Sequence, residues 1–183
     1  MNVPNLLTFT RILLTPLLMW CLVNHRLNTA LVVFIVAGLT DLLDGLTARL
    51  FHQKSRFGAI LDPLADKFLL VSSFLILGWL GFIPLWLVVI VVLRDLVIVT
   101  GTSALFLLRR NVEIQPTALG KFTTLTQLLT VLVALSSSLI SIDPWHKVLA
   151  VLTALCSIAS GSQYVKRGIA LLRSHSLSEE PRM

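Results

Sequence analysis

Four aspartates stand in a fixed frame inside an otherwise apolar chain: Asp41-x2-Asp44-Gly45-x2-Ala48-Arg49-x8-Gly58-x3-Asp62-x3-Asp66. A carboxylate surrounded by hydrocarbon costs roughly 2.5–3.5 kcal/mol on insertion scales, so four of them call for a compensating ligand. Residues three and four apart share one face of a helix. Asp41, Asp44 and Ala48 fall at i, i+3 and i+7, with Gly45 and Arg49 beside them, and Asp62 and Asp66 fall at i and i+4 on the next helix. The short basic connection between the two helices makes their ends expected neighbours, so that the four carboxylates can converge. Oxygen-only ligands favour hard cations such as Mg²⁺ or Mn²⁺ over zinc, and a set of this size, without paired histidines, can hold two of them. Two metals ~3.5–4 Å apart stabilise the attacking and leaving oxygens of a displacement at phosphorus. Small Gly45 and Ala48 leave room for a substrate against the helix backbone, and Arg49 can neutralise a phosphate through paired hydrogen bonds.

The elements that must position these residues are written in the composition. The chain has 183 residues, of which 56% are hydrophobic and 13% charged, with mean hydropathy +0.88. Soluble domains are about 45–50% apolar and about 25% charged, so the sequence reads as a single-domain, all-α integral membrane protein. The net charge of +6 is spread between apolar spans in the manner of cytoplasmic loops, which argues against nucleic-acid binding. Cys21 and Cys156 lie in apolar runs with no CxxC or Cys/His neighbourhood and read as packing residues. The first apolar segment, with Pro4, Arg11 and Pro16, has no small-residue cleavage site after it and no Arg/Ser-rich presequence before it. It reads as a retained helix.

At about 20 apolar residues per crossing, the chain divides into six expected spans, near 4–23, 28–48, 61–80, 84–108, 119–140 and 145–172. Asn24-His25, Gly58, Gly81 to Pro84, Asn111 to Pro116 and Asp143-Pro144 mark the joints. Residues 1–173 form one catalytic domain in this reading, and 174–183 a polar tail. Arg49, Lys54, Arg56, Arg109, Arg110, Lys166, Arg167 and Arg173 fall on one side, against Arg26 and Lys147 on the other. The excess of Lys and Arg marks the cytoplasmic side. Both termini and the aspartate frame are therefore expected there, in a multi-pass protein of the cell (inner) membrane. Trp20, Trp79, Trp86 and Trp145 fall near span ends, where indoles favour the bilayer interface. His52, in the basic loop, reads as a solvated residue before a phosphate contact.

Two other readings compete with a metal site. The aspartates could form salt bridges with Arg11, Arg49, Lys67 and Arg94, or they could line an ion or proton pathway. Four carboxylates in register, with small residues between them and gathered near one membrane face, favour the enzyme over both.

The frame resembles the CDP-alcohol phosphatidyltransferase signature, D-x2-D-G-x2-A-R-x8-G-x3-D-x3-D, at every defined position. Pro4-Asn5-x2-Thr8-x2-Arg11 and Leu61-Asp62-Pro63-Leu64-Ala65-Asp66-Lys67 extend the resemblance to bacterial-type members. The likeness implies a six-helix membrane enzyme, usually a homodimer, with a polar cavity open to the cytoplasm. It implies transfer of a phosphatidyl group from CDP-diacylglycerol to an alcohol with release of CMP. Carried over by position, Asp41, Asp44, Asp62 and Asp66 bind metal, and Asp66 is also the catalytic base. Gly45, Ala48 and Arg49 cradle the CDP diphosphate, and Gly58 shapes the nucleotide pocket.

The acceptor is read from the later spans. Arg94, Lys121, Arg11 and Arg110 are candidates for gripping an acceptor phosphate, although Arg94 could pair internally with Asp95 and Lys121 could snorkel to the interface. Members of the family that use glycerol-3-phosphate carry Arg-Glu and Gly-Lys-x-Lys-Thr where this chain has Arg94-Asp95 and Gly120-Lys121-Phe122-Thr123-Thr124. Asp95, with Pro116, Gly120, Lys121, Thr123, Thr124 and Gln127, is more similar to the branch that uses phosphatidylglycerol and forms cardiolipin. Phosphatidylglycerol is thus the expected acceptor, with glycerol-3-phosphate the alternative. The phospholipase-D-like route to cardiolipin needs His-x-Lys-x4-Asp, and the adjacent His146-Lys147 does not supply it.

Overall fold

Each apolar run folds as a helix. The computed structural model describes the backbone of residues 3–51, 58–107, 117–137 and 143–176, and the side chains of 10–40, 66–101, 117–137 and 146–167. The described elements are α1 (Val3–Val23), α2 (Leu27–Phe51), α3 (Gly58–Trp79), α4 (Leu85–Leu107), α5 (Ala118–Ser136) and α6 (Asp143–Ser176). Several boundaries differ by a few residues from those expected of the sequence, most clearly in α3 and α6. Gly58 is the first residue of α3 rather than a break before it. α6 continues through Ser174, His175 and Ser176, because backbone hydrogen bonds propagate into a polar segment that contains no Pro or Gly stop.

The helix ends have local causes. α1 closes on His25, which adopts φ 54, with His25 N–H donating to Leu22 O at 3.0 Å and Arg26 N–H to Cys21 O at 2.9 Å. That pair of bonds is a Schellman cap, which places one residue in the left-handed region. α3 closes the same way on Gly81 at φ 81, with Gly81 N–H to Gly78 O and Phe82 N–H to Leu77 O. Pro84 then cannot continue that helix and opens α4. Thr117 caps α5, its Oγ1 accepting from Gly120 N–H at 3.0 Å. α3 and α4 approach closely at Gly78, where a Cβ would stand 2.6 Å from Val88 Cγ2.

α1 packs against both α2 and α3; α5 packs against α6, α2 and α3; α4 packs against α6 and α3. Leu18, Leu22, Phe34, Leu70, Phe74 and Leu77 form much of the apolar core. The remaining interior is unusually polar, with Thr123, Thr126, Gln127, Thr130, Thr153, Ser157 and Ser160 all buried. Meanwhile Leu13, Val32, Phe68, Leu85, Leu155 and Trp79 are exposed. A polar share of the interior beside so many exposed large apolar side chains departs from a water-soluble domain and fits a bundle whose outer surface meets hydrocarbon. Among the described residues, Ala118–Ser136 and His146–Arg167 are long and apolar enough to cross a bilayer. Trp20, Trp79 and Trp86 are exposed at the end of α1, the end of α3 and the start of α4, the end of the bundle remote from the aspartates. The side chain of Trp145 lies outside the described residues.

Candidate active site

The backbone puts the frame on two helices, as the spacing requires. Asp41, Asp44, Gly45, Ala48 and Arg49 belong to the last turns of α2, and Gly58, Asp62 and Asp66 to the first turns of α3. The side chains of Asp41, Asp44, Arg49 and Asp62 lie outside the described residues, as do Arg110 and His52. Among the described residues α2 and α3 meet through α1 and α5 rather than by direct packing. The expected convergence of their frame-bearing ends therefore falls outside the described side chains.

Asp66 is the member of the frame whose surroundings are described. Its Oδ1 accepts from Arg11 Nη1 across the α1–α3 contact. Arg11 is 1% exposed and Asp66 40% exposed, so the guanidinium is the more enclosed partner. Thr15 Oγ1 donates to Arg11 O at 2.9 Å, in the turn of α1 just before Pro16. The structure thus sets Arg11 on Asp66. Among the described residues, the sequence reading that paired the frame aspartates with basic residues is realised at the Arg11–Asp66 contact.

A second ionic group lies alongside. Lys67, the residue after Asp66, donates to Asp95 Oδ1 at 2.6 Å. Arg94 Nη1 reaches the same oxygen at 2.6 Å, and Arg94 Nη2 donates to Ser160 on α6 at 3.0 Å. Arg94 therefore pairs internally with Asp95, the alternative left open by the sequence. It also lies beside the first turn of α5: a Cβ on Gly120 would be 3.7 Å from Arg94 Nη2 and 3.8 Å from the Tyr164 ring. Lys121, one residue further along α5, is exposed. Two acceptor candidates, Arg94 and Lys121, are thus brought to one end of the α4–α5–α6 face.

Sequence reasoning did not single out Lys67 and Asp95 as partners. The signal was available, since a lysine in one apolar span and an aspartate in the next rarely persist unpaired at membrane depth. What spacing could not give was which of Asp62, Asp66 and Asp95 each cation meets.

The donor set suits a hard divalent cation: every frame ligand is a carboxylate, and Asp66 is much the more accessible acid, at 40% exposed against 6% for Asp95. Among the described residues no three His, Cys, Asp or Glu side chains gather, so a metal centre would need Asp41, Asp44 and Asp62 to join Asp66.

A sequence profile described as CDP-alcohol phosphatidyltransferase matches residues 1–159, which contain the whole frame. A rat protein named cardiolipin synthase (CMP-forming) is 41% identical over 122 residues, covering 66% of this chain and 39% of its own. A human protein of the same name is 32% identical over 188 residues, covering 91% and 62%. An Aquifex aeolicus protein named CDP-diacylglycerol–glycerol-3-phosphate 3-phosphatidyltransferase is 38% identical over 127 residues, covering 68% and 70%. The matches span less than two thirds of the rat and human relatives. A profile match over most of the chain, on the residues that make up the frame, leaves one conclusion: this chain belongs to the CDP-alcohol phosphatidyltransferase family, whose members are membrane-embedded.

Proposed function

We propose that this chain transfers a phosphatidyl group from CDP-diacylglycerol to an alcohol and releases CMP. The observation that carries the reading is Asp66: a carboxylate at the frame end of α3, held by the enclosed Arg11 and itself 40% exposed. In the proposed step the acceptor hydroxyl oxygen attacks the phosphorus that bears diacylglycerol. The new P–O bond forms as the P–O bond to CMP breaks, and the hydroxyl proton passes to Asp66. A general base must come within about 2.6–3.2 Å of that proton, and Asp66, at 40% exposed, is accessible enough to do so. Arg49 holds the diphosphate with a planar, bidentate donor pair, while Gly45 and Ala48 let it approach the α2 backbone and Gly58 opens α3 beside the nucleotide. Asp41, Asp44, Asp62 and Asp66 would hold Mg²⁺ or Mn²⁺, which when bound supplies electrostatic stabilisation of the departing phosphate.

The acceptor in this reading is phosphatidylglycerol, making the product cardiolipin. Thr123 supports it. Where users of glycerol-3-phosphate carry a second lysine, Thr123 is wholly enclosed and donates to Leu119 O at 2.8 Å and Cys156 O at 3.1 Å. That position is spent on the α5–α6 contact, and one cation for a small phosphorylated acceptor is absent. The rat and human relatives carry the matching name. The Aquifex relative's name favours glycerol-3-phosphate, which is the second reading. The enzyme would work as a homodimer of six-span subunits in the cell (inner) membrane. Its termini and polar cavity would face the cytoplasm, with residues 1–173 as the catalytic domain.

The reading is tested by CMP release from CDP-diacylglycerol in detergent, with and without Mg²⁺ or Mn²⁺ and with both acceptors supplied. Release that needs metal and acceptor supports it. A folded protein that releases no CMP under any of these conditions contradicts it.

A further inference from the structure

The ionic group beside Asp66 joins α3, α4 and α6, yet as a purely stabilising contact it is incompletely satisfied. Asp95 is enclosed, one of its oxygens takes both Lys67 and Arg94, and among the described residues Asp95 Oδ2 and Arg94 Nε have no hydrogen-bond partner. A buried ion pair is commonly no more stabilising than apolar residues of the same volume, and unfilled buried donors and acceptors make it worse. Such a group needs another reason to exist.

Its geometry supplies one. Lys67 follows Asp66 directly on α3, so a tether on the Lys67 side chain bears on the rotation and seating of the turn that carries the carboxylate. Asp95 fixes Lys67 from α4, and Arg94 ties that same turn of α4 to Ser160 on α6. From the opposite side Arg11 of α1 holds the carboxylate itself. Asp66 is thus braced by α1 directly and by α4 and α6 through its neighbour.

We infer that Asp95 is a positioning residue for the transfer step: through the Lys67 ammonium it sets the turn of α3 that aims Asp66 at the acceptor hydroxyl. This rests on Asp66 being the base. Misplacing a reacting group by about 1 Å costs roughly 100-fold, and that is the scale of the effect expected.

The test is a double-mutant cycle on the purified full chain, with Asp95→Asn, Lys67→Met and the two combined, scored by kcat, by KM for CDP-diacylglycerol and by thermal midpoint. Each single variant is expected to lose roughly 10- to 100-fold in kcat. The pair should be no slower than the worse single, with KM within about twofold of the parent. Additive losses, or a Lys67→Met variant with parental kcat, overturn the inference. So does a kcat that falls only as far as the folded fraction falls. Should Asp95→Asn not purify folded, Asp95→Glu keeps the charge and displaces it by one methylene. Reduced kcat at an unchanged midpoint supports positioning, and unchanged kcat overturns it. Asp66→Asn in the same assay separates the two claims. Full activity there removes the base assignment itself, whereas an inactive Asp66→Asn beside an unaffected Lys67→Met removes only the role of Asp95.

Discussion

Where α1 meets α2 and α3 most of the interior is hydrocarbon, filled by Leu18, Leu22, Phe34, Leu70 and Phe74, with the Arg11–Asp66 pair at one end of it. Where α5 meets α6 it is hydroxyl. Thr130 and Thr153 share a hydrogen bond of 2.8 Å, Thr153 donates to Thr126 O at 3.2 Å, and Thr123 donates to Cys156 O at 3.1 Å. In a bilayer the tails outside are as apolar as leucine, so burial alone does not drive helices together, and close packing and interhelical hydrogen bonds must. The α1–α3 side uses the first device and the α5–α6 seam the second. The seam also leads somewhere. Toward the C-terminal half of α6 the threonine contacts give way to Ser160 on Arg94, then to Asp95 and Lys67, and then to Asp66. Polarity rises from the tryptophan end of the bundle toward the aspartates. The apolar side is therefore the packed wall of the bundle, and the polar side runs toward the aspartate end.

That contrast is broken most severely at its meeting point. Asp66→Asn is expected to lower CMP release by roughly 10²- to 10⁴-fold, the usual worth of a general base. Its elution on size exclusion should stay parental, because the amide can still accept from Arg11. Next in size is the wall itself. Phe74 is fully buried, and Phe74→Ala is expected to cost about 3 kcal/mol, read as a lower denaturation midpoint in detergent. Activity per folded molecule should be retained. Gly78→Ala forces a Cβ against the stiff Val88 side chain, so α3 and α4 must separate. Overpacking of this kind costs about 1–3 kcal/mol, and Val88→Ala on top of it is expected to restore the midpoint. The smallest effect belongs to the seam. Thr130→Val removes one interhelical hydrogen bond, worth about 0.6 kcal/mol within a membrane, and catalysis should not change. A loss at Thr130 as large as that at Phe74 would erase the distinction between wall and seam.

How much of this was legible in the sequence depends on the scale of the interaction. Helix existence follows from apolar runs of span length, and the caps at His25 and Gly81 follow from local backbone needs, so the six helices and these two turns could be placed from composition and punctuation, while the other joints lie outside the described residues. The frame was legible because helical spacing fixes which residues share a face on α2 and on α3. The ion partners were not. Arg11 with Asp66 and Lys67 with Asp95 are separated by 55 and 28 residues, and no periodicity specifies which of several acids a cation meets across a helix interface. Thr123 shows the same limit. As one letter in a motif it marked an acceptor preference, and only its bond to Cys156 O gives a physical reason why no cation stands there.

The most direct measurement follows the product by acceptor. Purified protein in detergent with CDP-diacylglycerol and Mg²⁺ or Mn²⁺ is given phosphatidylglycerol or glycerol-3-phosphate in parallel, and both CMP and lipid product are followed. Release stimulated by phosphatidylglycerol, with cardiolipin formed, is the expected result. Stimulation by glycerol-3-phosphate alone would contradict the acceptor drawn from Asp95 and Thr123, and no stimulation by either would contradict phosphatidyl transfer itself.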